Sequence, residues 1–172
     1  HPNIKESQAN KALVDAVSDM EGVAVFNLYE LSQEIAFNVD EWSKIISDAS
    51  AVIYQFPFYW MSAPSLLKKW QDEVFTFLSK TPAVAGKSLT VVTTTGSEYE
   101  AYRSGGRNRF TMDELLRPYQ VSAIHSGMSW QTPIVVYGMG TADAGKNIAE
   151  GANLYKQRVE MLIGSSNAGN NW

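Results

Sequence analysis

Residues 51–75 read AVIYQFPFYWMSAPSLLKKWQDEVF. Ala51-Val-Ile-Tyr-Gln55 is a near-continuous apolar run, the pattern of a strand buried on both faces of a sheet. A loop bracketed by Pro57 and Pro64 follows. Ser62 and Pro64 then open a helix that turns Leu66, Leu67, Trp70, Val74 and Phe77 inward, since Ser is a favoured cap and Pro a favoured first-turn residue. A buried strand feeding a helix is the repeating unit of an α/β sheet.

The same alternation extends in both directions. Upstream, Ala9, Ala12, Leu13, Ala16, Val17 and Met20 place an apolar stripe on a helix over Lys5–Met20. Val23-Ala-Val-Phe-Asn-Leu28 reads as a short strand. Asp40 caps a helix with Trp42, Ile45, Ile46 and Ala49 on one side. Downstream, Ser88–Thr95 is a strand that empties into a polar loop from Gly96 to Arg109. Thr111-Met-Asp-Glu114 is a capping box, Gly127 stops the next helix, and Pro133 leads the strand Ile134–Tyr137. A last helix runs from Thr141 to about Ile163, with a frayed tail expected over Gly164–Trp172.

Strands alternating with helices predict a parallel sheet covered on both faces, with ligands bound beyond the carboxyl ends of the strands. Residue 1 already lies in the loop feeding the first helix, so a further strand of about six apolar residues is expected upstream. Three loops should supply the site: the one before Lys5, the one after Gln55 and the one after Thr95.

Composition narrows the chemistry. The chain has 172 residues, 45% of them hydrophobic, which suits one domain spanning 1–172. Its net charge of −4 argues against a nucleic-acid partner. Arg103, Arg107 and Arg109 make up its one basic cluster. Without cysteine, disulfides and thiolate chemistry are excluded, and two histidines do not make a histidine-rich zinc site. No apolar run reaches the roughly 18 residues of a membrane span. A cytoplasmic protein is expected.

Each loop carries its own chemistry. Ser7 and Asn10, at the start of the first helix, pair a hydroxyl and an amide with free N–H groups, which makes either an anion site or an ordinary cap. Neither a P-loop nor Gly-x-Gly-x-x-Gly occurs here. Phe58, Tyr59 and Trp60 form an aromatic shelf suited to a flat fused-ring ligand, or else Phe56 and Trp60 plug the domain or a subunit interface. Thr93-Thr-Thr-Gly-Ser97 offers small donors, with Tyr99 and Tyr102 beyond. His125 is read as a packing residue on an apolar helix face with Val121 and Ile124. The carboxylates Asp113 and Glu114 are read as helix-end charges.

Taken in order, "HP…S-Q-A-N" at 1–10, "NLYE" at 27–30, the block at 55–75, "GK" at 86–87, "TTGS" at 94–97 and "LLRPYQVSAIHSGM" at 115–128 resemble the flavodoxin-like NAD(P)H:quinone oxidoreductases. The likeness is to the small bacterial subgroup that includes general stress proteins and ancillary proteins of potassium efflux. That resemblance implies a three-layer flavodoxin-like fold with a five-stranded parallel sheet, a homodimer, and a flavin, FMN rather than FAD. The flavin would take hydride from NAD(P)H and reduce a quinone. A regulatory role beside a potassium-efflux antiporter, with peripheral association at the inner membrane face, is the alternative. By position, His1, Ser7, Gln8, Ala9 and Asn10 would hold the flavin phosphate side. Pro57, Phe58, Tyr59, Trp60 and Met61 would lie along the ring, and Thr94, Thr95, Gly96 and Ser97 at its polar edge. Tyr102 and Asn108 would be the catalytic pair. The family often has Gly where Ser97 stands, and the animal enzymes have a histidine where Asn108 stands. A neutral Asn hydrogen-bonds but does not shuttle a proton at pH 7.

Overall fold

The computed structural model describes residues 3–31 and 36–169. Strand β1 (Ala51–Pro57) pairs in parallel with β2 (Ser88–Thr94) along its whole length, from Ala51 opposite Ser88 to Pro57 opposite Thr94. On the other side of β2 lie β3 (Ser129–Trp130), opposite Ser88 and Leu89, and β4 (Ile134–Val136), opposite Val92 to Thr94. β3 and β4 are one strand row interrupted around Pro133, which has no N–H for the ladder. Among the described residues the sheet therefore has four short strands in three rows; the five expected for the fold included one upstream of residue 1.

Helices cover both faces. α1 (Gln8–Asp15) and the long α8 (Ala144–Gly169) lie on one side, where Leu13, Val17, Tyr155 and Val159 meet Val92, Ile134 and Val136. On the other side are α3 (Val39–Asp48) and α4 (Ser65–Trp70). The latter continues through a π turn (Gln71–Phe75) into α5 (Thr76–Leu78). The short α6 (Met112–Leu115) and α7 (Arg117–His125) complete that layer. Its core holds Trp42, Trp70, Val74, Leu89, Val91, Tyr119 and Ala123. Alternation along β2 sends Leu89 and Val91 to this core and Val92 to the other, as a doubly covered parallel strand requires. Among the described residues, no helix is long and apolar enough to cross a membrane.

Several local expectations are corrected. Among the described residues Val23–Asn27 forms no strand; α2 (Leu28–Leu31) follows it. β propensity gives a strand only where a neighbour accepts the ladder. Here Phe26 instead packs edge-on against Trp42, with ring centroids 5.4 Å apart. The first helix stops at Asp15 and continues only as turns. Asn38, not Asp40, caps α3; its side-chain oxygen accepts from the N–H groups of Asp40 and Glu41. Pro64 occupies the N-cap of α4 with no side-chain cap, so Ser62 does not cap it. The π turn adds a residue to the helical repeat, which turns Phe75 and Leu78 inward and leaves Phe77 58% exposed. Val121, Ile124 and His125 are exposed, because α7 packs through Tyr119 and Ala123. The last helix continues to Gly169, where fraying was expected from Gly164. Ser165 Oγ turns back to donate to the Met161 carbonyl at 2.8 Å. The capping box at Thr111 forms in both directions, and Gly127 ends α7 with φ +71°.

Candidate functional site

The carboxyl ends of β1 and β2 and the amino end of α1 converge. Ser7 is the N-cap of α1, its hydroxyl accepting from the Asn10 N–H at 3.2 Å. The first-turn N–H groups of Gln8 and Ala9 then have no acceptor within the helix, and the positive end of its dipole points the same way. Asn10 is 2% exposed and works beneath this surface. Its Nδ2 donates to Thr94 Oγ1 at 3.1 Å and to Ser7 Oγ at 3.3 Å, while its carbonyl accepts from Gln55 Nε2 at 2.9 Å. Asn10 thus ties α1 to β2 through its side-chain amide and to β1 through its main-chain carbonyl.

Between these elements lies a cavity of about 360 Å³ lined by Ser7, Gln8, Ala9, Pro57, Phe58, Tyr59, Thr94, Thr95 and Gly96. All three loops singled out from the sequence meet there. A fourth wall, from Met139, Ala144 and Ile148, was missed. The loop after β4 is zipped to the β2 exit: the N–H groups of Gly138, Met139 and Gly140 donate to the carbonyls of Ser97, Thr95 and Gly96 at 2.8–2.9 Å. The Gly138-Met-Gly140 pattern directly after a strand was the available signal.

The aromatic loop divides its residues sharply. Phe58 is buried, and its N–H donates to the Thr94 carbonyl at 2.9 Å. Tyr59 and Ser62 exchange backbone hydrogen bonds of 2.8 and 3.0 Å, closing a two-residue hairpin. At its tip Trp60 and Met61 have φ of +46° and +62°, the left-handed region that bulky side chains avoid. Trp60 is 97% exposed and, with Met61 and Ser97, stands outside the cavity lining. His1 lies outside the described residues.

Tyr102 lies behind Phe58, ring centroids 6.1 Å apart, and is hydrogen-bonded to the side chains of Thr95 and Asn108. Burial raises its phenol above the ordinary pKa, opposed by the Arg107 guanidinium and those two hydrogen bonds. Arg107 Nη2 donates to Ser97 Oγ at 2.6 Å, a cation at the rim that the sequence reading gave no role. The loop is tight: a Cβ on Gly106 would sit 2.0 Å from the Glu100 carbonyl oxygen, so no larger residue fits without a shift. Among the described residues no group of His, Asp and Glu could hold a metal ion.

A family model described as a flavodoxin-like fold matches residues 1–159. The chain belongs to this family. General stress protein 14 of Bacillus subtilis is 35% identical over 165 residues, covering 94% of each chain. The crystal structure of general stress protein 14 from Treponema denticola in complex with FMN superposes with a TM-score of 0.85 at 28% identity, covering 94% of this chain and 95% of that one. The glutathione-regulated potassium-efflux system ancillary protein KefG of Pectobacterium atrosepticum is 34% identical over 141 residues, 80% of this chain and 77% of its own. An NADPH-quinone reductase from P. pentosaceus has a TM-score of 0.77 at 27% identity, covering 92% of both chains.

Proposed function

We propose that this protein is an FMN-dependent NAD(P)H:quinone oxidoreductase. The observation that carries the reading is the single cavity in which a free helix N-terminus, an aromatic hairpin and a Thr-Gly loop meet. Those groups fit FMN. The Ser7 hydroxyl and the N–H groups of Gln8 and Ala9 suit its phosphate. Phe58 and Tyr59 suit its ring, and Thr94, Thr95 and Gly96 suit its polar edge. An added Cβ on Gly96 would meet nothing within 4 Å, so the backbone there is open to close approach. When bound, FMN would supply the hydride and two-electron chemistry.

The chain's own residues bind, orient and hold charge. Tyr102 keeps its proton through neutral pH, because burial raises its phenol, and it stands with Asn108 as a fixed hydrogen-bonding pair. Asn108 does not relay protons. Support for negative charge falls to backbone N–H groups near Gly96, to Tyr102 and to the Arg107 cation held on Ser97. Trp60 serves the open side of the cleft and a homodimer contact, since a fully exposed Trp held out by a strained turn marks a surface that meets something.

Both substrates would use the same open side in turn, so initial rates should give parallel double-reciprocal lines with NADPH and a quinone. Intersecting lines would contradict the shared cleft. Tyr102→Phe should slow NADPH oxidation by no more than about tenfold, roughly 1.4 kcal/mol. The likeness to KefG supports a second role, as a peripheral partner of a potassium-efflux transporter. That role predicts altered potassium efflux when the protein is co-expressed with such a transporter, and it fails if efflux is unchanged.

A further inference from the structure

A second and larger cavity, a groove of about 520 Å³, opens on the far side of Tyr102. Its lining includes Tyr99, Tyr102, Arg103, Asp113, Tyr137 and Arg158. Two of these residues are guanidinium cations on a chain whose net charge is −4. Each is pinned by a neutral group. Arg103 Nη1 donates to the Tyr99 hydroxyl at 3.1 Å, and its guanidinium stands 5.2 Å from the centre of that ring. Arg158 Nη1 donates to the Thr132 carbonyl at 2.8 Å. Among the described residues neither forms an ion pair; the four ion pairs found there all belong to lysines. Each guanidinium therefore keeps donors unspent out of its five N–H groups.

Oriented arginines facing one groove without carboxylate partners match a phosphate, which takes the guanidinium fork in pairs. A bare phosphate fits poorly, because Asp113 lines the same groove. A ligand that carries hydroxyls for Asp113, a ring for Tyr99 and Tyr137 and a phosphate for the arginines satisfies all of them. The groove also adjoins the first cavity. Tyr102 lines the groove, is hydrogen-bonded to Thr95 in the flavin cavity, and has its ring 6.1 Å from that of Phe58. Two neighbouring cavities, linked by the Tyr102 contacts to Thr95 and Phe58, suit a dinucleotide with a ring system at each end.

We propose that the groove between the Tyr99–Arg103 turn and α8 takes the 2′-phosphorylated adenosine end of NADPH, with Arg103 and Arg158 on the phosphate, so that the protein prefers NADPH to NADH. This rests on the oxidoreductase reading above and adds its co-substrate specificity. The test is calorimetric titration of the FMN-loaded protein with 2′,5′-ADP and with 5′-AMP. The wild type should bind 2′,5′-ADP at least tenfold more tightly. Arg103→Gln and Arg158→Gln should each erase most of that difference, and each should lower the NADPH-to-NADH ratio of kcat/KM about tenfold. Arg117→Gln, an exposed arginine outside the groove, should leave the preference intact. Equal binding of the two probes by the wild type, which requires no variant to fold, overturns the proposal. So does a preference that neither groove variant changes. Selective 2′,5′-ADP binding by a protein that oxidises neither NADH nor NADPH would support the groove and defeat the oxidoreductase reading instead.

Discussion

Replacing Trp60-Met61 by Asn-Gly should stabilise the protein while damaging its function. Both residues sit in the left-handed region, φ +46° and +62°, at the tip of the hairpin closed by Tyr59 and Ser62. A side chain there costs about 1–2 kcal/mol per residue. Asn-Gly is the pair that such a two-residue turn favours. The entropy a glycine loses on folding, about 0.5–1 kcal/mol, offsets part of the relief. Little packing is given up, because Trp60 is 97% exposed and Met61 about half exposed. The net gain should be about 1–2 kcal/mol, or a rise in Tm of roughly 3–6 °C for a chain of this size. Urea denaturation of the flavin-free proteins measures it without ligand linkage, and the m-value should not change. The same substitution should weaken FMN retention or dimer formation. An apoprotein that is destabilised, or unchanged in stability, would refute the strained-turn explanation for a bulky aromatic at this tip.

Three further outcomes are expected. Asn10→Ala removes the side-chain hydrogen bonds to Ser7 and Thr94 and should cost about 1–3 kcal/mol in urea unfolding, with FMN affinity falling as α1 loosens from β2. Gly106→Ala, whose Cβ would lie 2.0 Å from the Glu100 carbonyl oxygen, should destabilise by about 1–3 kcal/mol and raise proteolytic nicking of the 96–110 loop; a stability equal to wild type would mean that the loop does not hold this shape. Burial pushes the phenols of Tyr155 and Tyr137 up to about 12 from 10.0, so both favour the folded state while protonated. Their contribution is complete below pH 10 and is lost as pH rises from 10 toward 12. Tyr155→Phe should flatten that alkaline loss of stability, and an unchanged pH profile would remove Tyr155 as its source.

The parallel α/β architecture was legible because its signals are local. The apolar runs at Ala51–Gln55 and Ser88–Thr95, the capping box at Thr111 and the stop at Gly127 each follow from the residues in place. What failed depended on partners. Val23–Leu28 has strand composition, but its ladder depends on a neighbour that no local pattern reveals. Phe77 has inward spacing only on an uninterrupted α-helix, and the π turn before it shifts that spacing by one residue. The three loops of the site were legible as chemistry. The division of labour within them was not. Asn10 reads as a phosphate ligand, yet its amide is spent tying β2 to α1. Trp60 reads as a ring-stacking residue, yet a hairpin holds it outside the cavity lining. The fourth wall at Met139, Ala144 and Ile148 is apolar and ordinary in sequence, and only the backbone bonds from Gly138 to Gly140 bring it to the site.

The most direct test is spectroscopic. Purified protein is loaded with FMN, freed of excess by gel filtration, and followed anaerobically in the visible range as NADPH and then a quinone are added. One FMN per chain should be retained, its colour bleached by NADPH and restored by the quinone. A protein that neither retains nor rebinds FMN, or whose bound FMN is untouched by NADPH and NADH alike, would contradict the assignment.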